Sequence, residues 1–221
     1  MIPQVSQNSR PDYQRVLIFG ASGRTGRHLL SQALERGFTV TAFVRHPEAL
    51  PIQNQKLVAF TGDVLDAGQV AEAIRNQDAV ISVLGNPTRQ AIRGRIRAVS
   101  EGTKNIIAGM TAAGVRRLVF VTAFGVSTHI FYPEKLFIRL FLKNLFADLP
   151  DQERLIRASN LDWTIVRPAR LTNGPLTGAC RSGKSLYIHP FSKISRADVA
   201  GFLLRALDTP ETIGQTLTIS S

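Results

Sequence analysis

Residues 16–30, VLIFGASGRTGRHLL, set three glycines at intervals of three directly behind an apolar run. The run reads as a buried strand, and the residues after the last glycine carry the spacing of a helix. A lone GxxGxxG says little, because glycine also serves close helix packing. Its place between a first strand and a first helix gives it meaning. There Gly20 permits the tight turn, Gly23 lets the backbone approach a pyrophosphate, and Gly26 lets helix and strand pack closely. The free N–H groups and the positive dipole end of the helix favour phosphate. Ala21, Ser22, Arg24 and Thr25 complete the expected cradle.

Outward from this stretch, apolar runs rich in β-branched residues alternate with helical patterns. Strands are predicted over 15–20, 38–44, 56–60, 79–84, 117–122, 163–167 and 215–219, and helices over 24–36, 67–76, 88–113, 134–148, 151–159 and 196–207. Near-continuous apolar strands separated by helices imply parallel strands covered on both faces. The expected fold is therefore α/β, a Rossmann-type doubly wound parallel sheet with helices on both faces. Residues 15–221 are expected to form a single domain after a flexible leader over 1–14. A small C-terminal substrate-side region would come mainly from 123–195, with 168–190 as an irregular cap on the sheet.

The end of the second strand sorts the cofactor. An acid there would bind the adenosine ribose 2′-hydroxyl and mark NAD. The strand instead runs out as Phe43-Val44-Arg45-His46. The planar fork of Arg45 suits a 2′-phosphate, with Arg24 assisting, so NADP(H) is expected. Asp63 and Val64, behind the third strand, are candidates for the adenine. Leu84 and Gly85, behind the fourth, are candidates for admitting the dinucleotide. Turn chemistry alone also accounts for Asp and Gly at such places. Their shared position at strand C-terminal ends favours the site.

Bulk properties narrow the class. A net charge of +11 favours anionic partners but does not choose among a phosphorylated cofactor, an acidic small molecule, nucleic acid and a membrane surface. Arg89, Arg93 and Arg97 share one face of the predicted 88–113 helix, without interleaved stacking aromatics, so a solvated face is favoured over a nucleic-acid site. No apolar run approaches the roughly 20 residues of a membrane helix. The stretch 134–149, EKLFIRLFLKNLFADL, is apolar enough to be a lid, a partner surface or an interfacial membrane helix edged by Lys135, Arg139 and Lys143, but such a stripe is more often buried core, and a substrate-side helix packed on the sheet is favoured. The single cysteine, Cys180, excludes an internal disulfide, fits a cytoplasmic location and reads as an inert thiol. His28, His46, His129 and His189 lack ligand spacing, so no metal site is expected. Oligomeric state is left open, with a monomer favoured.

With GASGRTG, GDV, VLG and NLDWTIVRPARL in view, the chain resembles the atypical NAD(P)H-binding branch of the short-chain dehydrogenase/reductase superfamily. Within it, PLTGA (175–179) and KISRADVAGFLLRAL (193–207) are most similar to the NADPH-dependent flavin reductase, or biliverdin-IXβ reductase, group. The resemblance spans residues 15–219. It implies reduction of flavins, and of biliverdin-type linear tetrapyrroles, by direct hydride transfer. It also implies that Thr122 positions the nicotinamide and that Pro168, Ala169 and Leu171 close over it, with Phe124 and Arg170 on the acceptor side.

The superfamily's Tyr-x-x-x-Lys pair is altered here. Tyr132 and Lys135 lie three apart, not four, and Pro133 pushes the tyrosine out of helical geometry. A proton relay is disfavoured. Hydride transfer between two stacked rings needs alignment at ~3 to 3.5 Å more than it needs an acid. Histidines that some members carry near the acceptor fall at Glu153 and Arg170 here, and Arg170 suits an anionic acceptor or, alternatively, only an ion pair with Glu153 or contact with solvent. A non-catalytic NADP(H)-binding regulator or assembly factor of the same branch is the alternative. No specific nucleic-acid partner is expected.

Overall fold

The computed structural model describes residues 13–50, 52–85, 97–122, 149–189 and 191–221. Among these, eight strands form one sheet in the order β3-β2-β1-β4-β5-β6-β10-β8. The strands are β1 (Arg15–Phe19), β2 (Thr39–Val44), β3 (Leu57–Thr61), β4 (Ala79–Ser82), β5 (Arg117–Val121), β6 (Asp162–Pro168), β8 (Arg181–Gly183) and β10 (Gln215–Ser220). All pair in parallel except β8, which runs antiparallel to β10. The chain reverses its direction of winding between β1 and β4, and this is where an open α/β sheet opens a crevice for ligands.

Side chains of the central strands alternate between two cores. Val16 and Ile18 of β1 face one way, with α1 (Arg24–Glu35) and α5 (Arg196–Leu207); Leu17 and Phe19 face the other, with α2 (Ala67–Ile74), α3 (Arg97–Ala113) and α4 (Leu149–Ala158). Both faces of the sheet are therefore covered, as the continuous apolar strands required. Near the last strands, β7 (Arg170–Thr172) and β9 (Lys193–Ser195) pair in a small separate parallel sheet, with Arg170 opposite Lys193.

The structure corrects several sequence expectations. Residues 168–190 are not wholly irregular, since they contain β7 and β8. These three-residue strands are too short to show a period, and their pairing partners arrive only later in the chain. The leader expected over 1–14 reaches too far at its C-terminal end. The Gln14 amide donates to the Asp78 carboxylate at 2.9 Å, and its carbonyl accepts from the Thr39 amide. Strand 79–84 ends at Ser82 and strand 15–20 at Phe19, because Gly20 leaves the ladder at φ +84°. The predicted helix 134–148, Phe124, Tyr132, Lys135, Arg89 and Arg93 lie outside the described residues, as does the Arg97 side chain.

One buried cation welds the far end of the sheet. Arg117, at the start of β5, is 2% exposed. Its guanidinium donates to the carbonyls of Ala206, Leu207 and Asp162 and to the hydroxyls of Thr164 and Thr212. Two of these carbonyls belong to the last turn of α5, where the helix dipole favours a positive group. Burial pushes the guanidinium down to about 10, so it stays charged at neutral pH. Replacing Arg117 with Met removes these five hydrogen bonds and leaves the Leu207 and Asp162 carbonyls facing an apolar side chain. We expect a loss of about 3 kcal/mol or more, read as a lower urea midpoint at unchanged slope.

Candidate cofactor site

The expected cofactor residues come together at one edge, because β1 to β6 are parallel and each delivers its following residue to the same end of the sheet. Gly20 turns beside β4: a Cβ there would lie 2.9 Å from the Val83 carbonyl oxygen. The Gly23 amide donates to the Gly20 carbonyl at 3.0 Å, closing the turn. A Cβ on Gly26 would stand 2.0 Å from that same Gly20 oxygen, so this position admits no side chain.

Gly23 is the N-cap of α1 and supplies no side-chain acceptor, and the first turn holds no acidic residue. Its carbonyl accepts from the Arg27 amide at 2.9 Å. The amides of Arg24, Thr25 and Gly26 have no intrahelical acceptor, and the dipole adds positive potential there. Close-packed glycine backbone with outward amides, next to the cation Arg24, is a cradle matched to a diphosphate. Arg27 steadies it by donating from Nε to the Ser22 carbonyl at 3.1 Å.

Arg45 follows β2 and is exposed. The acid nearest to it in sequence, Glu48, pairs with His46 at 3.2 Å. Behind β3, Gly62 makes room for the ring of Phe43, which a Cβ would meet at 2.6 Å. Asp63 is held by its own turn: its amide donates to Gln69 Oε1 at 2.8 Å and its Oδ1 accepts from the Leu65 amide at 3.0 Å. The residue as a whole is exposed. Val64 packs on Gly102 of α3, and its carbonyl accepts from Asn105 Nδ2 at 2.9 Å. Leu84 is half-buried against the core and Gly85 stands in open space.

At the next strand the hydroxyl of Thr122 is not free. It donates to Glu153 Oε1 at 2.9 Å. Glu153 is fully buried and also takes both Nε and Nη2 of Arg167, at 2.9 and 2.5 Å, and Nη2 of Arg157 at 2.7 Å. The expected alternative of an Arg170–Glu153 pair is therefore incorrect: two other arginines fill the carboxylate, and Arg170 is exposed on β7. Pro168 and Ala169 are buried at the end of β6, with the Ala169 amide bonded to the Ile219 carbonyl at 2.9 Å, and Leu171 packs partly on the core.

The two stretches PLTGA and ISRAD meet through one carboxylate. Asp198 is 2% exposed; it accepts from the amides of Thr177 and Gly178 at 2.8 Å each and from the hydroxyls of Thr177 at 2.9 Å and Ser195 at 2.7 Å. Ser195 in turn caps α5 by accepting from the Asp198 amide. Sequence reading missed Asp198, Arg117, Glu153 as a structural acid, and Arg167. Only the Ser-x-x-Asp spacing of a cap was available to flag one of them. Among the described residues no group of acids, histidines and cysteines is placed to hold a metal. Burial pushes the Cys180 thiol up to about 11, so at neutral pH it is protonated and a poor nucleophile. No helix among the described residues is long and apolar enough to cross a membrane.

With this geometry in hand, the comparisons decide the family. A family model described as NAD(P)H-binding matches residues 20–210. The chain belongs to the NAD(P)H-binding family. It is 33% identical over 174 residues to an uncharacterised chloroplast protein of Arabidopsis thaliana, covering 75% of this chain and 62% of that protein. It is 27% identical to the photosystem II assembly factor Ycf39 of Synechocystis, covering 88% of this chain and 58% of that protein. The chain thus spans about three fifths of the length of these two relatives. Among solved structures, ChuY, an anaerobilin reductase from Escherichia coli O157:H7, superposes with a TM-score of 0.75 at 27% identity, covering 93% of this chain and 96% of that one.

Burial raises the Asp198 pKa, but the hydrogen bonds from Ser195, Thr177 and Gly178 outweigh it, and the net position is below the usual carboxylate range. A depressed carboxylate contributes stability that is full above its unfolded value of ~3.9 and is lost as pH falls through its folded value. Asp198→Asn should therefore cost about 2 to 4 kcal/mol at neutral pH. Urea unfolding at a series of pH values should show the difference from the parent chain shrinking below pH ~4.

Proposed function

We propose that this protein is an NADPH-dependent oxidoreductase that reduces a planar conjugated acceptor, of flavin or linear-tetrapyrrole type, by direct hydride transfer. The observation that carries the reading is the pairing of a diphosphate cradle at Gly20–Gly26 with an acid-free end of β2, where Arg45 stands without a carboxylate partner among the described residues. Arg45 selects the 2′-phosphate, Asp63 and Val64 hold the adenine, and Leu84 and Gly85 leave the passage between the two halves of the dinucleotide open. When bound, the nicotinamide supplies the hydride.

Thr122 acts here as an acceptor. Its proton is directed at Glu153, which leaves its oxygen as an acceptor, assigned here to a carboxamide N–H of the nicotinamide. The salt-bridged Glu153 holds that hydroxyl in place and is itself held by Arg167 and Arg157. Pro168, Ala169 and Leu171 supply a close backbone wall against the nicotinamide, and Arg170 and Phe124 are assigned to the acceptor. The likeness to ChuY, an anaerobilin reductase, supports a tetrapyrrole-like acceptor, and a chain with a single cysteine fits a reducing cytoplasm. A second reading, a non-catalytic NADP(H)-binding regulator, is favoured by the engaged Thr122 hydroxyl and by the likeness to an assembly factor.

Two measurements separate these readings. Loss of NADPH absorbance with FMN, and separately with biliverdin, is expected to proceed with at least one of them. Tight NADPH binding with no turnover on either would overturn the reductase reading and leave the regulator. Arg45→Glu should weaken NADPH binding roughly 10- to 100-fold while leaving NADH binding little changed. An equal loss for both cofactors would remove Arg45 from the role of selector.

A further inference from the structure

Among the described residues the most exposed large apolar side chain is Phe191, at 79%. It is not a loose tip. Its ring stacks on His189, with centroids 5.2 Å apart and planes 29° from parallel, and its amide donates to His189 Nδ1 at 3.3 Å, which orients the imidazole. The Ser192 amide closes the same turn on the His189 carbonyl at 2.8 Å. The chain is pinned on both sides, because Ile188 and Ile194 are buried in the core. A stack held in place before any ligand arrives loses little entropy when a further ring joins it.

Two cations stand beside this turn, set against each other by the strand register. The Arg170 amide donates to the Ser192 carbonyl at 3.3 Å, joining the turn to β7, and Arg170 lies opposite Lys193 in the β7–β9 pair. The next pair, Leu171 and Ile194, packs on the core. Successive side chains of a strand alternate, so Arg170 and Lys193 share the outer face. Both are exposed, and among the described residues neither has an ion-pair partner. Like charges directly opposite each other weaken a sheet. An anion held between them removes the repulsion.

The topology puts both features at the ligand edge. Pro168 is the last residue of β6 paired with β10, and Arg170 opens β7 two positions later, so β7 carries the chain past the C-terminal end of β6. This is the half of the sheet built from β4, β5 and β6, away from Arg45 and the adenine side. We propose that His189 and Phe191 are the stacking platform for the acceptor, and that Arg170 with Lys193 holds its phosphate or carboxylate. The proposal rests on the reductase reading above and narrows its acceptor to a planar conjugated ring that carries an anionic group. Single-stranded nucleic acid uses the same ingredients, but one stack and one cation pair hold one ring, which favours the small molecule.

The test reads binding apart from turnover. FMN, riboflavin and biliverdin are titrated with oxidised NADP present, following flavin fluorescence and bilin absorbance. FMN fluorescence should be quenched on binding, Phe191→Ala should bind FMN and biliverdin roughly 10-fold or more weakly, and Phe191→Trp should recover the affinity. Lys193→Gln should weaken FMN binding about 3- to 5-fold at low salt while leaving riboflavin unchanged. NADPH affinity and ligand-free Tm should stay at the parent values in all three variants, since these side chains are exposed. Equal affinity of the parent and Phe191→Ala, no binding of any probe by the parent, or a Phe191→Ala protein with lower Tm and weaker NADPH binding would overturn the proposal. So would tighter, Phe191-dependent binding of oligothymidylate, which would assign the stack to nucleic acid. Phe191-dependent binding of FMN or biliverdin without oxidation of NADPH would keep the platform and overturn only the reductase reading.

Discussion

A Cβ at position 26 would stand 2.0 Å from the carbonyl oxygen of Gly20, and the absence of that one carbon lets α1 start directly over the end of β1. Everything at the ligand edge follows from this approach. It points the first-turn amides outward, seats the Gly20 turn against Val83, the residue after β4, and brings Arg24 to the mouth of the crevice. A looser helix start would leave the amides facing water at varied angles. An anion would then have to order the loop as well as bind to it.

Two buried polar centres keep that edge in shape from behind. Arg117 gathers carbonyls and hydroxyls from α5, β6 and the turn before β10, at the end of the sheet opposite the ligand edge. Glu153 gathers Thr122, Arg157 and Arg167 near the ends of β5 and β6. In both, a buried charge is matched by several partners, the condition under which such a group holds a unique geometry. The parallel strands supply the layout, and these two centres set the angles between their ends.

The fold class was legible because it rests on short-range signals: strand runs, helix spacing and glycines that tolerate no side chain. Helix α5 was placed over Arg196–Leu207 from sequence with the bounds the structure has, since Ser195 and Asp198 form a local cap. What escaped was non-local. Strands β7 and β8 are three residues each and exist only because β9 and β10 arrive to pair with them. Glu153 was legible as an acid but not as the acid of Arg167, fourteen positions away. Arg117 drew no reading of its own at the start of a strand, because nothing local shows that residues 206 and 207 will aim carbonyls at it. At the site, the backbone cradle was readable from composition and order. The state of the Thr122 hydroxyl was not, because its partner lies on a helix thirty-one residues later.

The Asp198 carboxylate carries a consequence for how such chains can vary. PLTGA and ISRAD look like two independent signatures, yet the amides and hydroxyl of the first are bonded to the acid of the second. A change at Thr177 strands a donor or an acceptor twenty-one positions away, and a change at Asp198 releases the loop over 175–179. The two segments therefore act as one structural unit: a substitution in either disturbs the hydrogen bonds of the other. What reads along the chain as a pair of motifs is in space a single bond set.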